Sequence, residues 1–385
     1  MESVGFIGVG KLGLSLALII EEAGYKTICF DKSESQRNCI KNKTLKTIEP
    51  HIENMLQKSS NINVVDNIKD IYKLSSIFVV VLTPSLSNGS YDHTAVDDVV
   101  NALLAENEVN PDYTDKLLVI TCTVMPQYTQ TIQDRLSKYN YHVCYSPEFI
   151  AQGDIVKGMK CPDLVLIGHS SEFAKEKLTT LYSNYVINKP EFAYMTPLEA
   201  EITKISINCF LTTKISFANT IGDLVVKAGG NPQRVLNAVG SDSRVGKKFL
   251  GWGHGFGGPC LPRDNRALCY FSKTIACRNK IGEVTDEINI DHLKNLLDYI
   301  VSINTEKKPL FFNGVVYKKN TTILEESQQL ELAKEAVKVG MKVVIHDSES
   351  VIKSLESLYG DKFTYLYEMS GNEKTLYLDL NTYIQ

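Results

Sequence analysis

The chain has 385 residues, 43% of them hydrophobic and 22% charged, with a formal net charge of −4. That length predicts two or three domains, and the composition is that of a folded chain rather than a disordered one. The lack of a basic surplus excludes nucleic-acid binding as the main activity, and no apolar run approaches the ~20 residues of a membrane span.

The first residues enter a strand directly, with no basic segment before it, so no signal peptide is expected. Val4 to Ile7 read as a short strand, followed by Gly8-Val9-Gly10-Lys11-Leu12-Gly13 and a helical stretch from Leu14 to Ala23. A second strand, Lys26 to Phe30, ends in Asp31. Strand, glycine loop, helix, strand and acid in this order form a dinucleotide-binding fingerprint. Gly8 permits the tight turn, Gly10 lets backbone approach a pyrophosphate, and Gly13 lets the helix pack close on the strand. The helix N-terminus offers N–H groups to the phosphates. Asp31 accepts from ribose hydroxyls and repels a 2′-phosphate, which favours NAD over NADP.

Further apolar runs follow, at Ile77 to Leu82, Leu117 to Thr121, Val143 to Tyr145 and Leu164 to Ile167. Runs buried on both faces and separated by helices predict an α/β fold with a Rossmann-like, doubly wound parallel sheet. Ligands of such sheets gather beyond the carboxyl ends of the strands, where Thr83, Pro84, Thr123 and Glu148 fall. From Glu199 to Val226 apolar residues recur at helical spacing, predicting a long helix that joins two domains and supplies a dimer interface. A helical region continues to about residue 300. Strands from Pro309 to Val316 and Lys342 to Asp347 flank a helix over 328–339, with weaker strands at Phe363 to Tyr367 and Thr375 to Leu380. The expected domains are therefore 1–195 (NAD-binding), 196–300 (central helical, dimerising) and 301–385 (a smaller, Rossmann-like α/β domain).

The nine cysteines are odd in number and lack CxxC spacing, which argues against a disulfide framework or a metal site and for a reducing, cytoplasmic setting. Cys29, Cys122, Cys144 and Cys209 lie in apolar segments and read as core. Cys260 differs: it sits in a glycine-rich stretch with charged neighbours, where a thiol is exposed and ionisable.

Several separated pieces keep a definite order: the fingerprint with Asp31, Ser146-Pro147-Glu148-Phe149, the pair Lys204 and Asn208, Arg244 before Gly246, and Gly255-Phe256-Gly257-Gly258-Pro259-Cys260-Leu261-Pro262-Arg263-Asp264. Together they resemble the UDP-glucose/GDP-mannose dehydrogenase family from residue 1 to about 347, most specifically over 200–219 and 255–268. The resemblance implies that a nucleotide sugar, UDP-glucose first of all, is oxidised twice at its C6 alcohol to the uronate, with two NAD and one water. It implies Cys260 as the nucleophile that holds the aldehyde and then a thioester. Lys204 and Asn208, four apart on one helix face, would stabilise the oxyanion. Asp264 and Thr123 would place a water, and Glu148 would be its base or hydrogen-bond partner.

The implied cofactor contacts are Gly8, Gly10, Lys11, Leu12, Gly13, Asp31, Thr83, Pro84 and Thr123. The implied substrate contacts are Glu148, Phe149, Gln152, Lys204, Asn208, Arg244, Phe249, Gly257 and Lys318. Arg244 would reach into the sugar site of a second subunit, so a homodimer is expected.

Plainer roles stand beside these. Asp264 suits the N-cap of a helix from Asn265 to Phe271, and Glu148 the cap of one at Ile150. Phe249 and Trp252 either pack on the nucleotide or belong to the core. The glycine pair before Cys260 opens backbone room for a ligand. Three departures from the family pattern bear on the substrate: Gln152 replaces a glutamate, Met125-Pro126-Gln127 replaces Pro-x-Gly, and Glu325 replaces an arginine near the expected nucleotide. They leave open GDP-mannose, a UDP-N-acetylhexosamine, or a non-catalytic binding role. Pro259 stands where members acting on acetamido sugars tend to carry histidine. A one-step hydroxyacid dehydrogenase shares the plan but requires neither the thiol nor the third domain.

Overall fold

A computed structural model describes residues 2–150, 153–319, 321–368 and 378–379. Contacts divide the chain into two compact units, Met1–Lys204 and Ile205–Gln385. In the first unit the elements run β1 (Ser3–Ile7), α1 (Lys11–Glu22), β2 (Lys26–Phe30), α2 (Glu34–Lys41), α3 (Ile52–Lys58), β3 (Ile62–Val64), α4 (Lys69–Tyr72) and β4 (Ser76–Val79). They continue with α5 (Thr94–Val109), β5 (Lys116–Ile120), α6 (Tyr128–Leu136), β6 (Tyr141–Tyr145), α7 (Ile155–Lys160), β7 (Leu164–His169), α8 (Glu172–Tyr185) and β8 (Glu191–Met195).

The eight strands form one sheet in the order β3-β2-β1-β4-β5-β6-β7-β8. Alternate side chains of a strand point to opposite faces, and both faces are apolar. Leu117 and Val119 of β5 enter one core with Phe6 and Leu178, while Leu118 and Ile120 enter the other with Ile7 and Val100. This is the doubly wound arrangement expected, with two differences. Strands β6 and β7 pair antiparallel, although the segment 146–163 between them is long enough for a parallel crossover. Strand β4 ends at Val79, and Leu82, expected inside a buried strand, is 84% exposed.

The long helix, α9 (Pro197–Lys227), starts where proline is tolerated, at its first position. Thr196 and Glu199 close a capping box there: Glu199 Oε2 accepts the Thr196 N–H at 2.8 Å and Thr196 Oγ1 accepts the Glu199 N–H. The helix stops at Gly229, whose φ of +77° suits a left-handed terminator.

In the second unit follow α10 (Pro232–Ser241), α11 (Leu261–Thr274), α12 (Ile281–Ile303), β9 (Leu310–Asn313), α13 (Gln328–Lys338), β10 (Val343–His346), α14 (Glu349–Tyr359), β11 (Thr364–Leu366) and β12 (Leu378–Asp379). The strands form a four-stranded, all-parallel sheet in the order β11-β10-β9-β12. One core joins this sheet to the helices, with Ala218, Leu236, Trp252, Leu296 and Phe312 among its members. Trp252 is thus a core residue rather than a nucleotide platform, and its Nε1 donates to Asp223 Oδ1 at 2.8 Å. No helix among the described residues is long and apolar enough to cross a membrane, and no cluster of metal-ligating side chains occurs among them.

Candidate active site

The glycine loop of the first unit has the shape its sequence predicts. Gly8 takes φ +89°, and a Cβ there would lie 2.3 Å from the Val80 carbonyl oxygen. At Gly13 a Cβ would come within 2.0 Å of the Gly8 carbonyl oxygen, so the helix packs where only glycine fits. Gly10 is different: an added Cβ would meet nothing within 4 Å. Helix α1 begins at Lys11, earlier than the sequence suggested, and Gly10 caps it without a side chain, which leaves the first-turn N–H groups of Lys11, Leu12 and Gly13 for a ligand.

At the end of β2, Asp31 is oriented by two backbone donors, Val9 N–H to Oδ2 and Ser33 N–H to Oδ1, both at 2.9 Å. Each oxygen keeps a lone pair for a ribose hydroxyl. Arg37, the nearby base, is tied to Asp66 and to the Asp31 carbonyl. A cavity of about 290 Å³ opens beside Gly10, Lys11 and Gln36. These features fit a dinucleotide. A larger groove, about 680 Å³, lies between α1, α3 and α7 and contains none of the residues selected above.

Replacing Gly10 with alanine separates ligand binding from folding. The variant is expected to melt within about 2 °C of the parent, since its Cβ meets open space. It should bind NAD at least about tenfold more weakly by calorimetry, the loss of roughly 1.4 kcal/mol that a displaced pyrophosphate would produce. Equal NAD affinity would remove Gly10 from the cofactor site.

Beyond the strand ends, Thr83 is buried and donates from Oγ1 to the Thr123 carbonyl at 2.7 Å, while Pro84 is exposed. Gln127, in place of the family's glycine, holds φ +79°. Its N–H and that of Thr129 are received by the buried carboxylate of Glu201, at 2.6 and 2.7 Å, which substitutes for a cap on α6.

Glu148 caps nothing: the next helix starts at Ile155. Its carboxyl is recessed against Tyr182, and burial raises it to about 7, opposed by the Tyr182 hydrogen bond and the Lys204 charge. Lys204 Nζ donates to the Glu148 main-chain carbonyl at 2.7 Å and stands 4.5 Å over the Phe149 ring. Gln152 lies outside the described residues.

In the second unit Cys260 is exposed and occupies the N-cap of α11, where the helix dipole favours negative charge. Asp264 is therefore not the cap but a residue of the first turn, 1% exposed. Asn208 Nδ2 donates to its Oδ2 at 2.6 Å, and Arg263 Nε approaches Oδ1 at 3.4 Å.

Where a Cβ would point from the glycines before Cys260, the space is taken by protein. A Cβ at Gly257 would lie 2.2 Å from the Glu326 carbonyl oxygen, and one at Gly258, with φ +78°, 2.3 Å from the Tyr317 ring. Glu326 is itself gripped by the Arg266 guanidinium at 2.6 and 2.9 Å.

The preceding loop is fastened by two helices. From α9, Asn219 accepts the Gly253 N–H. From α12, Asn289 bonds both the N–H and the carbonyl of Phe256, and His292 lies 2.6 Å from the Gly253 carbonyl and 2.9 Å from Asp223. None of these anchors was singled out from sequence, since an isolated Asn, His or Asp on a helix carries no periodic signal.

Arg244 is exposed and paired with Asp242 at 2.8 Å. Phe249, 52% exposed, holds φ +59°, and Lys318 is exposed. Within the units, then, Thr83 meets Thr123, Lys204 meets Glu148 and Phe149, and Asn208 meets Asp264. Lys204 and Asn208 share a helix but are taken up by different partners.

Comparison with known proteins points to one family. Residues 2–186 match the NAD-binding domain of the UDP-glucose/GDP-mannose dehydrogenase family, and residues 198–291 match its central domain. A UDP-glucose 6-dehydrogenase of Rickettsia felis is 27% identical over 373 residues, covering 94% of this chain and 82% of that one. The solved structure of a UDP-glucose dehydrogenase from Pyrobaculum islandicum superposes with a TM-score of 0.84 at 26% identity, over 96% of this chain and 86% of that one. A UDP-D-ManNAc dehydrogenase from Pyrococcus horikoshii shares the fold, with a TM-score of 0.76 at 22% identity over 90% and 83% of the two chains. The chain belongs to the UDP-glucose/GDP-mannose dehydrogenase family, nucleotide-sugar oxidoreductases with an NAD-binding domain.

Proposed function

We propose that the protein oxidises UDP-glucose to UDP-glucuronate, with two NAD and one water, through a covalent intermediate on Cys260. The observation that carries this reading is an exposed thiol at the N-cap of α11, with a buried, Asn208-bonded carboxylate in the same first turn. NAD, held by the glycine loop and Asp31, supplies the hydride acceptor for each oxidation. Cys260 adds to the aldehyde as a thiohemiacetal and, after the second oxidation, carries the acid as a thioester. Lys204 and Asn208 are donors to the oxyanion of these adducts. Asp264 and Thr123 orient the water, and Glu148 takes its proton. Phe149, Gln152, Arg244, Phe249, Gly257 and Lys318 complete the substrate contacts. The functional division into 1–195, 196–300 and 301–385 follows these roles.

NADH release with UDP-glucose, GDP-mannose and UDP-N-acetylglucosamine, counted per sugar consumed, tests the reading. Two NADH per UDP-glucose is the expected result; one per sugar would overturn the covalent route. Preferential turnover of another sugar would reassign the substrate, and Glu325, exposed in place of the family's arginine, favours looking there first.

A homodimer through α9 belongs to the same proposal. Phe210, Phe217 and Leu224, seven apart on that helix, are 64%, 47% and 61% exposed. An apolar stripe at this spacing is a packing seam. The double variant Phe217→Glu, Leu224→Glu is expected to run as a monomer in light scattering and to lose activity, because Arg244 then has no second subunit to reach. A fully active monomer would sink both ideas.

A further inference from the structure

Glu148 heads a chain of oxygen atoms inside the first unit. Tyr182 of α8 donates to Glu148 Oε1 at 3.2 Å, Tyr182 Oη lies 2.8 Å from Ser146 Oγ, and Ser146 donates to the Leu166 carbonyl of β7 at 3.0 Å. Ser146 and Tyr182 are 1% and 4% exposed, so bulk water does not substitute for these bonds.

Each hydroxyl has one proton, and the Leu166 carbonyl can only accept. With Glu148 ionised, Tyr182 must donate to the carboxylate, and Ser146 then serves either Tyr182 or Leu166, so two bonds form. With Glu148 protonated, the carboxyl donates to Tyr182, Tyr182 to Ser146 and Ser146 to Leu166, so three bonds form with one polarity.

On the footing that Glu148 is the base of the hydrolytic step, we propose that Tyr182 and Ser146 are its positioning residues, and that their hydrogen-bond chain reverses direction each time Glu148 gains or loses a proton. No covalent bond is made or broken in the reversal: two hydroxyl groups rotate. The proton taken from water stays on Glu148, where Tyr182 Oη receives its hydrogen bond. The side chain keeps one orientation in both protonation states, as a group that must accept a proton and later release it requires.

Among the described residues, the titratable groups facing Glu148 are Tyr182 and Tyr185 from α8 and Lys204 from α9. Burial pushes both tyrosines far above their ordinary range, so Tyr182 remains a proton carrier throughout. The Glu148 carboxyl, at about 7, populates both states in neutral solution.

The chain gives different results for two variants. Tyr182→Phe takes one charge-assisted bond from the ionised form and two neutral bonds from the protonated form, losses of similar size, so it should leave the Glu148 titration midpoint within about half a pH unit of its place. Ser146→Ala costs the protonated form two bonds and the ionised form one, so it should lower the midpoint by about half a pH unit to one unit.

Carbon-13 carboxyl NMR of the full chain, labelled at glutamate, reads these midpoints directly, and Glu148→Gln identifies the resonance. The acidic limb of kcat with UDP-glucose should move with them. A midpoint left in place by Ser146→Ala, or raised by about one pH unit or more by Tyr182→Phe, would overturn the chain even if both variants lose activity, because a tyrosine that acts alone on the carboxylate predicts a rise in the second variant and no change in the first. Retention of uronate formation and of the acidic limb in Glu148→Gln would instead remove Glu148 as the base, and with it the catalytic meaning of its neighbours.

Discussion

Replacing Cys260 with serine is expected to lower the rate of uronate formation by at least about 10³-fold, the scale on which loss of a covalent nucleophile is felt. Serine conserves volume at the N-cap of α11, so the fold should survive. Its hydroxyl, however, is a far weaker nucleophile at neutral pH, so the adduct needed for the second oxidation does not form. NADH per sugar should fall from two to at most one. Cys209 and Cys269 of the same unit offer no substitute: both are buried, and burial pushes both thiols upward, away from the reactive thiolate. The check is a progress curve of NADH against uronate, with thermal melting to show that the variant is folded. Unaltered uronate formation would eliminate the covalent route, whatever the sugar.

Asp264→Asn should be the second most damaging change, with kcat falling by about 10² to 10⁴-fold, the usual range for general acid–base and water-orienting groups. Asp264 is almost fully buried and is held by Asn208 at 2.6 Å in the first turn of α11, where the helix dipole favours a carboxylate. Asparagine keeps the shape and lets Asn208 bond to an amide oxygen, so stability should change little while the charge is lost. If Asp264 acts on the water rather than on the hydride steps, both oxidations still occur once. An enzyme-bound thioester should then accumulate, visible as a burst of two NADH per enzyme and as an acyl adduct in intact-protein mass spectrometry. A slow reaction without the adduct would move Asp264 to an earlier step. A full rate would remove it from the chemistry.

How far the site could be read from sequence depended on how local each feature is. The shape of the glycine loop was legible because its constraints act over a few residues. Gly8 is needed for its own φ, Gly13 for an approach to Gly8, and Asp31 for the end of the strand that carries it. Cys260 stood apart from Cys29, Cys144 and Cys209 for an equally local reason, a glycine-rich run against apolar ones, and exposure separates them in the same way. The long helix declared itself through spacing, and its start through Thr196 and Glu199.

Where the reading failed, the deciding partner lay far away in the chain. Asp264 suited a helix cap by its neighbours, but the helix expected from Asn265 begins four residues earlier, at Leu261. The room beside Gly257 and Gly258 was expected for a ligand, and a Cβ there would meet Glu326, 69 residues on from Gly257, and Tyr317, 59 on from Gly258. Gln127 marked a departure from the family pattern without showing its left-handed backbone or the Glu201 carboxylate that steadies the following turn. The surroundings of Glu148 were invisible, since Tyr182 reads in sequence as one more apolar position of α8.

The amino-acid sequence by itself thus determined the α/β class, the glycine loop with Asp31 and the exposure of Cys260, because backbone sterics and hydrophobic periodicity act between residues close along the chain. Only the tertiary structure decided the antiparallel turn of the sheet at β7, the partners of Glu148 and Asp264, and what fills the space beside the glycines. These depend on single polar or aromatic side chains meeting across 30 to 70 residues, as in the 34 residues between Glu148 and Tyr182 and the 56 between Asn208 and Asp264. Such meetings leave no period in the sequence and come about only when burial makes each polar group find a partner.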